Sequence, residues 1–414
     1  MAPHPAPQRL LCISNGHGED TIATRILAAL AQQAPALELA ALPMVGDGAA
    51  YQRADIPLAG PTQTLPSGGF IYMDKQQLAR DVQSGLVQLT WRQIQAARAW
   101  AHQGGVVFAV GDVIPLAVAW LSGAPFGAIA TAKSEYWLRD EAGPLADRPW
   151  YEGWAGSVFL PWERGLMGHR RCRAAFVRDQ LTAQYLQQFG IKAVAANPMM
   201  DGLTPDPDKC QALQDSLLDP SLTLLLLPGS RPPECFHNWR RILAAVAAVL
   251  GQFVELSVGL LAAVAPALPL EAFHGPLLEA GWQLNGDIYR QGNGRLRLVG
   301  DAYAECLALA EAAIATAGTA TEQFVGLGKP AFTLPGAGPQ FTRPFAATQQ
   351  RLLGPSVILL EEPAAVAPAL AAYRQDPARR RQVELNGRRR MGPAGAAQTI
   401  ATHLRQQLIA AATP

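Results

Sequence analysis

The sequence lacks several features that mark common protein classes. Only 16% of its 414 residues are charged, and the formal net charge is +1. Basic clusters interleaved with aromatic residues are missing, so no nucleic-acid partner is expected. Because 49% of the residues are hydrophobic, the chain can build a large core. Its length predicts two to three domains.

Cysteines and long apolar runs are also scarce. The five cysteines are widely scattered, so we expect neither a disulfide framework nor a metal site, and a reducing compartment is favoured. No apolar run near the N-terminus has the length of a signal peptide. Region 242–268 is the most apolar, but Gly251, Glu255 and Pro266 interrupt it. It is predicted to be a buried helix followed by a buried strand, not a membrane span.

The first predicted strand, 10–14, leads through a glycine turn into a helix over 21–33. The turn lacks the three-glycine spacing of the dinucleotide fingerprint. Side chains that follow such a strand face the ligand crevice of an open α/β sheet. Five candidate residues lie in this turn: Gly16, His17, Gly18, Glu19 and Asp20. We interpret His17 and Glu19 as catalytic and the others as acceptor-side, the alternative being that both acids only favour the helix dipole.

Two further strand ends of the first half carry polar candidates. The apolar run 106–110 stops at Gly111-Asp112, and Pro115 opens the next helix. Asp112 is therefore a candidate general base or, equally, the N-cap of that helix. A strand over 125–131 leads to Ser134, an acceptor-side candidate. Three more strands are predicted in this half, over 157–161, 174–177 and 191–196.

The second half repeats a pattern of strand, glycine turn and helix. The leucine-rich strand 222–227 runs into Pro228-Gly229-Ser230-Arg231. Gly229 lets the backbone approach an anion, Ser230 can donate to it, and Arg231 can bind two phosphate oxygens at once. The alternative is an ordinary surface turn, and the recurrence of the pattern near residue 318 argues against it.

That recurrence is the stretch 314–335, around which we organise the interpretation of the sequence. A small-residue turn ends its first strand and begins a helix: Gly318, Thr319, Ala320, Thr321 and Glu322. The N-terminal amides of a helix suit phosphate, and a carboxylate beside them suits the two hydroxyls of a ribose. We interpret the stretch as a nucleotide site. The alternative is a capping box in which Thr319 is the N-cap and Glu322 its partner.

Other residues are candidates for contacts to sugar or lipid. Gln340, Gln349 and Gln350 are interpreted as donor-sugar ligands, because amides both donate to and accept from hydroxyls. Exposed glutamines without such a role are also common. The apolar stretch 65–72 is a candidate for holding an acceptor. Arginine clusters at 379–381 and 388–390, in a predicted helical region, either meet anionic lipid or form a solvated helix face.

Two motifs give the sequence a specific resemblance. The order Leu-Pro-Gly-Ser-Arg-x-x-Glu at 227–234 and Gly-Thr-Ala-Thr-Glu at 318–322 resembles the lipid-A-disaccharide synthases. Shorter matches are the stretches 111–115, 160–163 and 197–201. Residues 318–335 are also similar to the muramyl-pathway N-acetylglucosaminyltransferase and to UDP-N-acetylglucosamine 2-epimerases.

The resemblance implies an α/β fold of GT-B type, with two doubly wound Rossmann-like domains facing a central cleft. Residues 1–200 would form the acceptor domain and 201–385 the nucleotide-sugar domain, with a C-terminal helix, 386–414, packing back on the first. The implied activity is inverting, metal-independent transfer of a sugar from a UDP-sugar to a lipid or lipid-like acceptor. The UDP-sugar is a co-substrate, and no cofactor is implied.

The resemblance also assigns roles and exposes one departure. It implies that Glu322 binds the ribose, and that Arg231 and the amides around Gly318 and Thr319 bind the diphosphate. The family's first turn is Gly-Glu-x-Ser-Gly-Asp, whereas this chain has Asn-Gly-His-Gly-Glu-Asp at 15–20, so we expect a changed acceptor side. Alternative functions are a UDP-sugar epimerase and a non-catalytic membrane-surface scaffold. We expect a cytoplasmic protein, with peripheral attachment to the inner membrane face as an option.

Overall fold

The protein forms two compact α/β units. The computed structural model describes residues 9–16, 18–63, 85–146, 148, 151–336 and 341–410. Unit 1 comprises Met1–Asp201 with Ala394–Pro414, and unit 2 comprises Gly202–Pro393. The predicted boundary at 385/386 lies inside a helix that ends at Met391 and belongs to unit 2. The C-terminal segment that belongs to unit 1 is therefore shorter than predicted.

Unit 1 is built on a parallel six-stranded sheet with the order β2-β1-β3-β4-β7-β8. Its strands are β1 Arg9–Ser14, β2 Glu38–Pro43, β3 Val106–Gly111, β4 Phe126–Ala130, β7 Cys172–Val177 and β8 Ala193–Ala195. A separate short hairpin between β4 and β7 contains β5 Arg139–Asp140 and β6 Gly143–Pro144. Every residue of β3 is buried, as expected for a parallel strand covered by helices on both faces. The predicted strands therefore form one doubly wound sheet, except at 157–161.

The helices of unit 1 before residue 202 are α1 Gly18–Gln33, α2 Ala49–Arg53, α3 Leu86–His102, α4 Val113–Leu121, α5 Pro161–Met167 and α6 Gln180–Gln187. The strand predicted at 157–161 was wrong. Pro161 is the first residue of α5, a position that suits proline because it needs no amide hydrogen. The apolar residues before it suggested a strand, but Phe159 is instead buried in the core as part of an irregular segment.

Unit 2 contains an eight-stranded sheet with the order β11-β12-β13-β10-β9-β14-β15-β16. Its strands are β9 Leu222–Leu227, β10 Val258–Ala263, β11 Gln283–Asn285, β12 Ile288–Gln291, β13 Gly294–Val299, β14 Ala312–Ala315, β15 Ala331–Thr333 and β16 Val357–Leu359. The pairs β11–β12 and β12–β13 are antiparallel and the others are parallel. The antiparallel strands form one edge, so the parallel core of the sheet is centred on β9 and β14.

The helices of unit 2 are α7 Pro207–Leu217, α8 Glu234–Gln252, α9 His274–Glu279, α10 Tyr303–Leu309, α11 Thr319–Gly326, α12 Arg343–Leu353, α13 Val366–Gln375 and α14 Pro377–Met391. The apolar region 242–268 contains the end of α8 and all of β10, which confirms the prediction of a helix and a strand. Trp239 anchors α8 in the core, and its indole nitrogen donates to the Phe273 carbonyl at 3.2 Å. Across the described ranges, the apolar stretches of the helices are too short to cross a bilayer.

The chain returns to unit 1 through α15, Ala396–His403, which a π-helical turn, Leu404–Ile409, continues. Ile400 and Leu404 are fully buried in the same core as residues of α1. The carboxylate of Asp201 accepts from the amides of Gly395, Ala396 and Ala397 at 2.5, 3.2 and 2.7 Å. These amides have no partners within the helix, so Asp201 caps the returning helix from the last residue of the first segment.

Replacing this cap should destabilise unit 1. We expect Asp201→Ala to lower the free energy of unfolding by about 1–2 kcal/mol, because an N-terminal cap is lost. Urea unfolding followed by circular dichroism measures the change. The matched control is Glu255→Ala, which removes an exposed carboxylate of unit 2. Equal unfolding midpoints for Asp201→Ala and the control would contradict the capping role.

Candidate functional site

The carboxyl edge of the unit 1 sheet holds α1 against the end of β1 through buried hydroxyls. Ser14 donates to the Asp20 carboxylate at 2.6 Å, and the Tyr51 hydroxyl donates to Ser14 at 2.6 Å. All three side chains are buried. Asp20 therefore fixes the turn between β1 and α1, and its predicted acceptor-side role stays a prediction.

The glycines of this edge let backbone segments approach closely. Gly16 has φ of 110°, and a Cβ there would lie 2.6 Å from the Val45 carbonyl oxygen. Gly111 has φ of 132°, and its Cβ would lie 3.1 Å from the Asn15 side chain. Only glycine adopts such angles without strain. Gly18, by contrast, is exposed and begins α1 with open space beside it. His17 lies outside the described residues, so its predicted role stays a prediction.

Glu19 and Asp112 lie at neighbouring strand ends of this edge. The half-buried Glu19 carboxylate accepts from the Thr131 hydroxyl at 3.3 Å. Burial raises the pKa of Glu19, and the charges of Asp112 and Asp20 raise it further, against the opposing effect of its hydrogen bonds. A raised carboxyl pKa brings the group closer to exchanging protons near neutral pH. The catalytic role of Glu19 stays a prediction.

Asp112 is the N-cap of α4. One of its carboxylate oxygens accepts from the Ile114 amide at 2.9 Å. The capping alternative is thus observed. The cap occupies one oxygen of a half-buried side chain, so capping and proton transfer are compatible. The general-base role of Asp112 stays a prediction.

Sequence reasoning missed an ion pair beside Asp112. Lys133 Nζ lies 2.6 Å from both carboxylate oxygens of Glu163, which also accepts from the Leu160 amide at 2.8 Å. Together with Asp112, the pair lines a pocket of about 20 Å³ whose floor is apolar, which is room for about one water molecule. The pairing joins residues 30 apart in sequence, and no local pattern indicated it.

Ser134, next to Lys133, has a structural contact of its own. Its side chain is fully buried, and its hydroxyl accepts from the Tyr136 amide at 3.1 Å. This bond caps the short 3₁₀ turn Glu135–Trp137. The structure therefore places Ser134 in the wall of unit 1, and an acceptor contact stays a prediction.

In unit 2, the turn after β9 leads directly to the N-terminus of α8. Gly229 has φ of 95°, and Ser230 and Arg231 are exposed. Partial burial of the Arg231 guanidinium lowers its pKa, and the charge of Glu234 opposes this shift. Arginine stays protonated in proteins nevertheless. The buried Glu234 carboxylate accepts from the Phe341 amide at 2.8 Å, which joins the start of α8 to the residues just before α12.

The turn after β14 lies beside the turn after β9. The two strands pair in parallel register, with Ile314 opposite Leu226 and Ala315 opposite Leu227. The Thr316 amide then donates to the Leu227 carbonyl at 2.9 Å. Two glycine turns, each followed by a helix N-terminus, therefore lie next to each other at one edge of the sheet. Partial positive charge from both helices suits an anion there.

Helix α11 begins at Thr319 with Gly318 as N-cap, and no side chain caps it. The capping box predicted for Thr319 and Glu322 was therefore wrong, because the N-cap position is one residue earlier. The amides of Thr321 and Glu322 donate to the Gly318 carbonyl at 3.1 and 3.2 Å. The Thr321 hydroxyl is buried and donates to the Ala317 carbonyl at 2.6 Å. Glu322 is half-buried in the first turn of the helix.

Gln349, on α12, braces the turn before α11. Its amide nitrogen donates to the carbonyls of Ala317 and Gly318 at 3.3 and 3.0 Å. The side chain is buried, and its oxygen has no hydrogen-bond partner among the described residues. Gln350 is half-buried and Gln340 lies outside the described residues. The sugar-binding role of all three glutamines stays a prediction.

Comparisons with known proteins identify the fold. No protein-family model matches the sequence, and no curated protein sequence matches it significantly. Among solved structures, Acinetobacter baumannii MurG matches with 12% identity and a TM-score of 0.57, over 97% of this chain and 100% of that one. The S. aureus MnaA–UDP co-structure matches with 14% identity and a TM-score of 0.55, over 97% and 96%.

A third match is the UDP-GlcNAc 2-epimerase from Neisseria meningitidis bound to UDP-GlcNAc. It has 13% identity and a TM-score of 0.54, over 96% of this chain and 100% of that one. The protein thus has the GT-B fold, with Rossmann-like α/β units, as predicted. The resemblance to lipid-A-disaccharide synthases stays a prediction.

The environment of Glu19 predicts a pH-dependent stability. Since its folded pKa is raised, the unfolded state ionises first as pH rises, and stability falls as pH rises through the folded pKa. Glu19→Gln removes the free-energy cost of ionising this carboxyl group in the folded protein. The variant should be more stable than the wild type at pH 7, and the difference should shrink below about pH 4, where the unfolded carboxyl is also protonated.

Urea unfolding at both pH values measures this difference. The matched control is Glu255→Gln, in which the replaced carboxylate is exposed, and it should show no such pH dependence. A Glu19→Gln protein that is less stable than wild type at pH 7 would show that Glu19 is held in its ionised form.

Proposed function

We propose that the protein is an inverting glycosyltransferase that moves a sugar from a UDP-sugar to a lipid or lipid-like acceptor, without a bound metal or a further cofactor. The observation that carries the proposal is the pair of adjacent glycine turns in unit 2, which puts Arg231, Gly318 and Glu322 on neighbouring strand ends. Known structures of this fold include one bound to UDP and one bound to UDP-GlcNAc. We propose a cytoplasmic location with peripheral membrane attachment.

The diphosphate would bind where the two turns meet. Gly229 lets the backbone approach, and the N-termini of α8 and α11 supply amides and partial positive charge. Arg231 is exposed on the first turn and adds a full charge with two parallel donors. These groups would stabilise the negative charge that develops on UDP as it leaves, which is electrostatic catalysis.

The ribose would bind to Glu322. A carboxylate next to helix amides repels a second anion, so this position is poor for phosphate but good for two hydroxyl donors. Glu322 is half-buried and lies one residue after Thr321, whose hydroxyl is used inside the turn. The first turn of α11 therefore brings the backbone of Glu322 close to the N-terminal amides.

The proton of the acceptor would pass to a base in unit 1. The candidates are His17, Asp112 and Glu19, and the raised pKa of Glu19 supports a proton-exchanging role at this edge. The acceptor oxygen attacks the anomeric carbon and gives its proton to the base. The bond from that carbon to UDP breaks, and its electron pair stays with the diphosphate. Attack from the face opposite the leaving group inverts the anomeric centre.

A UDP-sugar epimerase is the second candidate, because solved structures of this fold include epimerases. An epimerase would use the same nucleotide half and would need no acceptor. Incubation with UDP-N-acetylglucosamine alone separates the two functions, since only an epimerase converts the sugar nucleotide. A non-catalytic membrane scaffold is the third candidate, and it would bind vesicles without binding any nucleotide.

Removal of Glu322 should weaken UDP binding. A thermal-shift screen of nucleotides and UDP-sugars first identifies the ligand that raises the Tm most. We expect Glu322→Ala to weaken UDP about tenfold to a hundredfold, because hydrogen bonds to a charged group are lost. Isothermal calorimetry measures the change, and Glu271→Ala, an exposed carboxylate of the same unit, is the matched control.

A ligand change sharpens this test. If Glu322 holds the ribose, wild type should bind 2′-deoxy-UDP more weakly than UDP, and Glu322→Ala should no longer distinguish the two. Unchanged UDP affinity in Glu322→Ala, or retained discrimination against 2′-deoxy-UDP, would sink the assignment.

Replacement of Asp112 should slow transfer and leave UDP binding unchanged. Asp112→Asn keeps a good N-cap for α4 and removes the proton acceptor. We expect the rate to fall about a hundredfold or more, the usual contribution of a general base. Transfer of label from a radioactive UDP-sugar into a lipid extract measures it. Asp206→Asn, the same change at the N-cap of α7, is the matched control, and an unaltered Asp112→Asn rate would leave His17 or Glu19 as the base.

A further inference from the structure

Among the described residues of unit 1, four large exposed aromatic side chains lie within 151–189 and outside the candidate site, while Trp91 and Trp120 are exposed on other helices. Trp154 is 71% exposed, Tyr151 60%, Trp162 55% and Phe189 42%. We call these four residues the aromatic surface. Single exposed apolar residues are ordinary, but a group of large ones on a monomer commonly marks an interaction site.

Stacked arginines hold this surface together. The Arg164 guanidinium lies 3.8 Å from the centre of the Phe189 ring and donates to the Ala155 carbonyl at 3.0 Å. A Cβ at Gly156 would lie 3.9 Å from the Phe189 ring. Arg164 therefore ties three parts of the chain together: the residue after Trp154, the helix α5 that carries Trp162, and the segment after α6 that carries Phe189.

A second arginine repeats the arrangement. Arg139 lies 3.8 Å from the centre of the Tyr185 ring and donates to the Gly156 carbonyl at 3.2 Å. The rings of Tyr185 and Phe189 are 6.1 Å apart in an edge-on contact. Arginines of α5 and β5 thus hold two consecutive carbonyls of the irregular segment that carries Trp154. The backbone that carries the exposed Tyr151 and Trp154 side chains is therefore held in place by these contacts.

A basic strip follows the aromatic surface along the chain. Residues 164–173 contain four arginines and His169 but no carboxylate. Arg170 and Arg173 are exposed. Arg171 lies over the Trp120 ring and donates to the Trp120 carbonyl at 2.9 Å. The nearest carboxylate in sequence, Glu163, is buried in its ion pair with Lys133, so it does not neutralise the strip.

We propose that the aromatic surface and its basic strip dock unit 1 on the surface of an anionic lipid bilayer. Tryptophan and tyrosine favour the membrane–water interface, because their rings are apolar and their edges can hydrogen-bond. Arginines next to them pair with lipid phosphates. A second copy of the chain fits the surface less well, since a two-fold contact would bring the two basic strips together.

The proposal differs from the lipid contact predicted for the arginine clusters at 379–381 and 388–390. In the structure Arg390 is buried and donates to the carbonyls of Arg351 and Leu352 at 2.8 Å. Arg388 pairs with Glu384. The second cluster is therefore partly used inside unit 2, whereas Arg170 and Arg173 of unit 1 are exposed.

Sedimentation with vesicles tests the proposal on the full-length protein. Wild type should pellet with vesicles of phosphatidylglycerol and phosphatidylcholine, less with phosphatidylcholine alone, and less at high salt. Trp154→Ala with Trp162→Ala should lower the partition coefficient on the order of tenfold, because apolar area no longer inserts. Arg170→Glu with Arg173→Glu should lower it about fivefold or more per residue.

The matched control is Trp91→Ala, which removes a tryptophan of similar exposure, 58%, from α3, and it should bind vesicles like wild type. Unchanged Tm values for all variants show that folding is intact. In this assay the proposal would be overturned by no binding of wild type to anionic vesicles, by wild-type binding of the Trp154 and Trp162 variant, or by an equal loss in the Trp91 control.

Two further measurements separate this proposal from its rivals. UDP affinity, measured without vesicles, should be unchanged in the tryptophan variant, so loss of UDP binding and loss of vesicle binding report on different proposals. Gel filtration tests the second-copy alternative. A wild-type dimer that Trp154→Ala converts to a monomer would overturn membrane docking in favour of an interface between two copies.

Discussion

The parallel pairing of β9 with β14 is the constraint on which the candidate nucleotide site depends. Ala315 lies opposite Leu227, and the Thr316 amide donates to the Leu227 carbonyl at 2.9 Å. That register brings two glycine turns to the same edge of the sheet. The Thr316 hydroxyl of the second turn donates to the Leu227 carbonyl before the first turn, and these two residues are 89 apart in sequence. A shift by one residue would turn every side chain of the strand to the other face. The site is therefore specified by buried leucine and alanine side chains before any polar residue contributes.

The strand ends were predictable because their signals are local. Continuous apolar runs followed by glycine turns indicated β1, β3, β9 and β14, and the structure places each within two residues of its predicted position. Two contacts that the sequence did not indicate join residues that are distant in sequence. Gln349 reaches back to the Gly318 carbonyl, and Lys133 pairs with Glu163. No spacing within one helix or one turn could indicate either contact.

The two units use their polar residues differently. In unit 1 the acids of the strand ends are close enough to affect one another: Asp112 and Asp20 both raise the pKa of Glu19. In unit 2 the Thr321 hydroxyl and the Gln349 amide donate to backbone carbonyls of the turn, and Arg231 and Glu322 supply charges of opposite sign near the helix N-termini. Mutual repulsion suits a group that must accept and release protons, and a firmly held set of amides suits a group that must bind an anion.

This difference explains why the candidate residues of unit 2 were easier to interpret from the sequence than those of unit 1. Anion binding depends mainly on backbone geometry, which glycines such as Gly229 reveal in the sequence. Proton transfer depends on burial and on charges from several elements, which the sequence does not display. Asp112 shows the difficulty, since the same carboxylate caps α4 and faces the charge of Glu19. A capping role therefore does not argue against a role in proton transfer. An N-cap carboxylate at a strand end is held in place by the amide that donates to it, and a general base must be held in place to act.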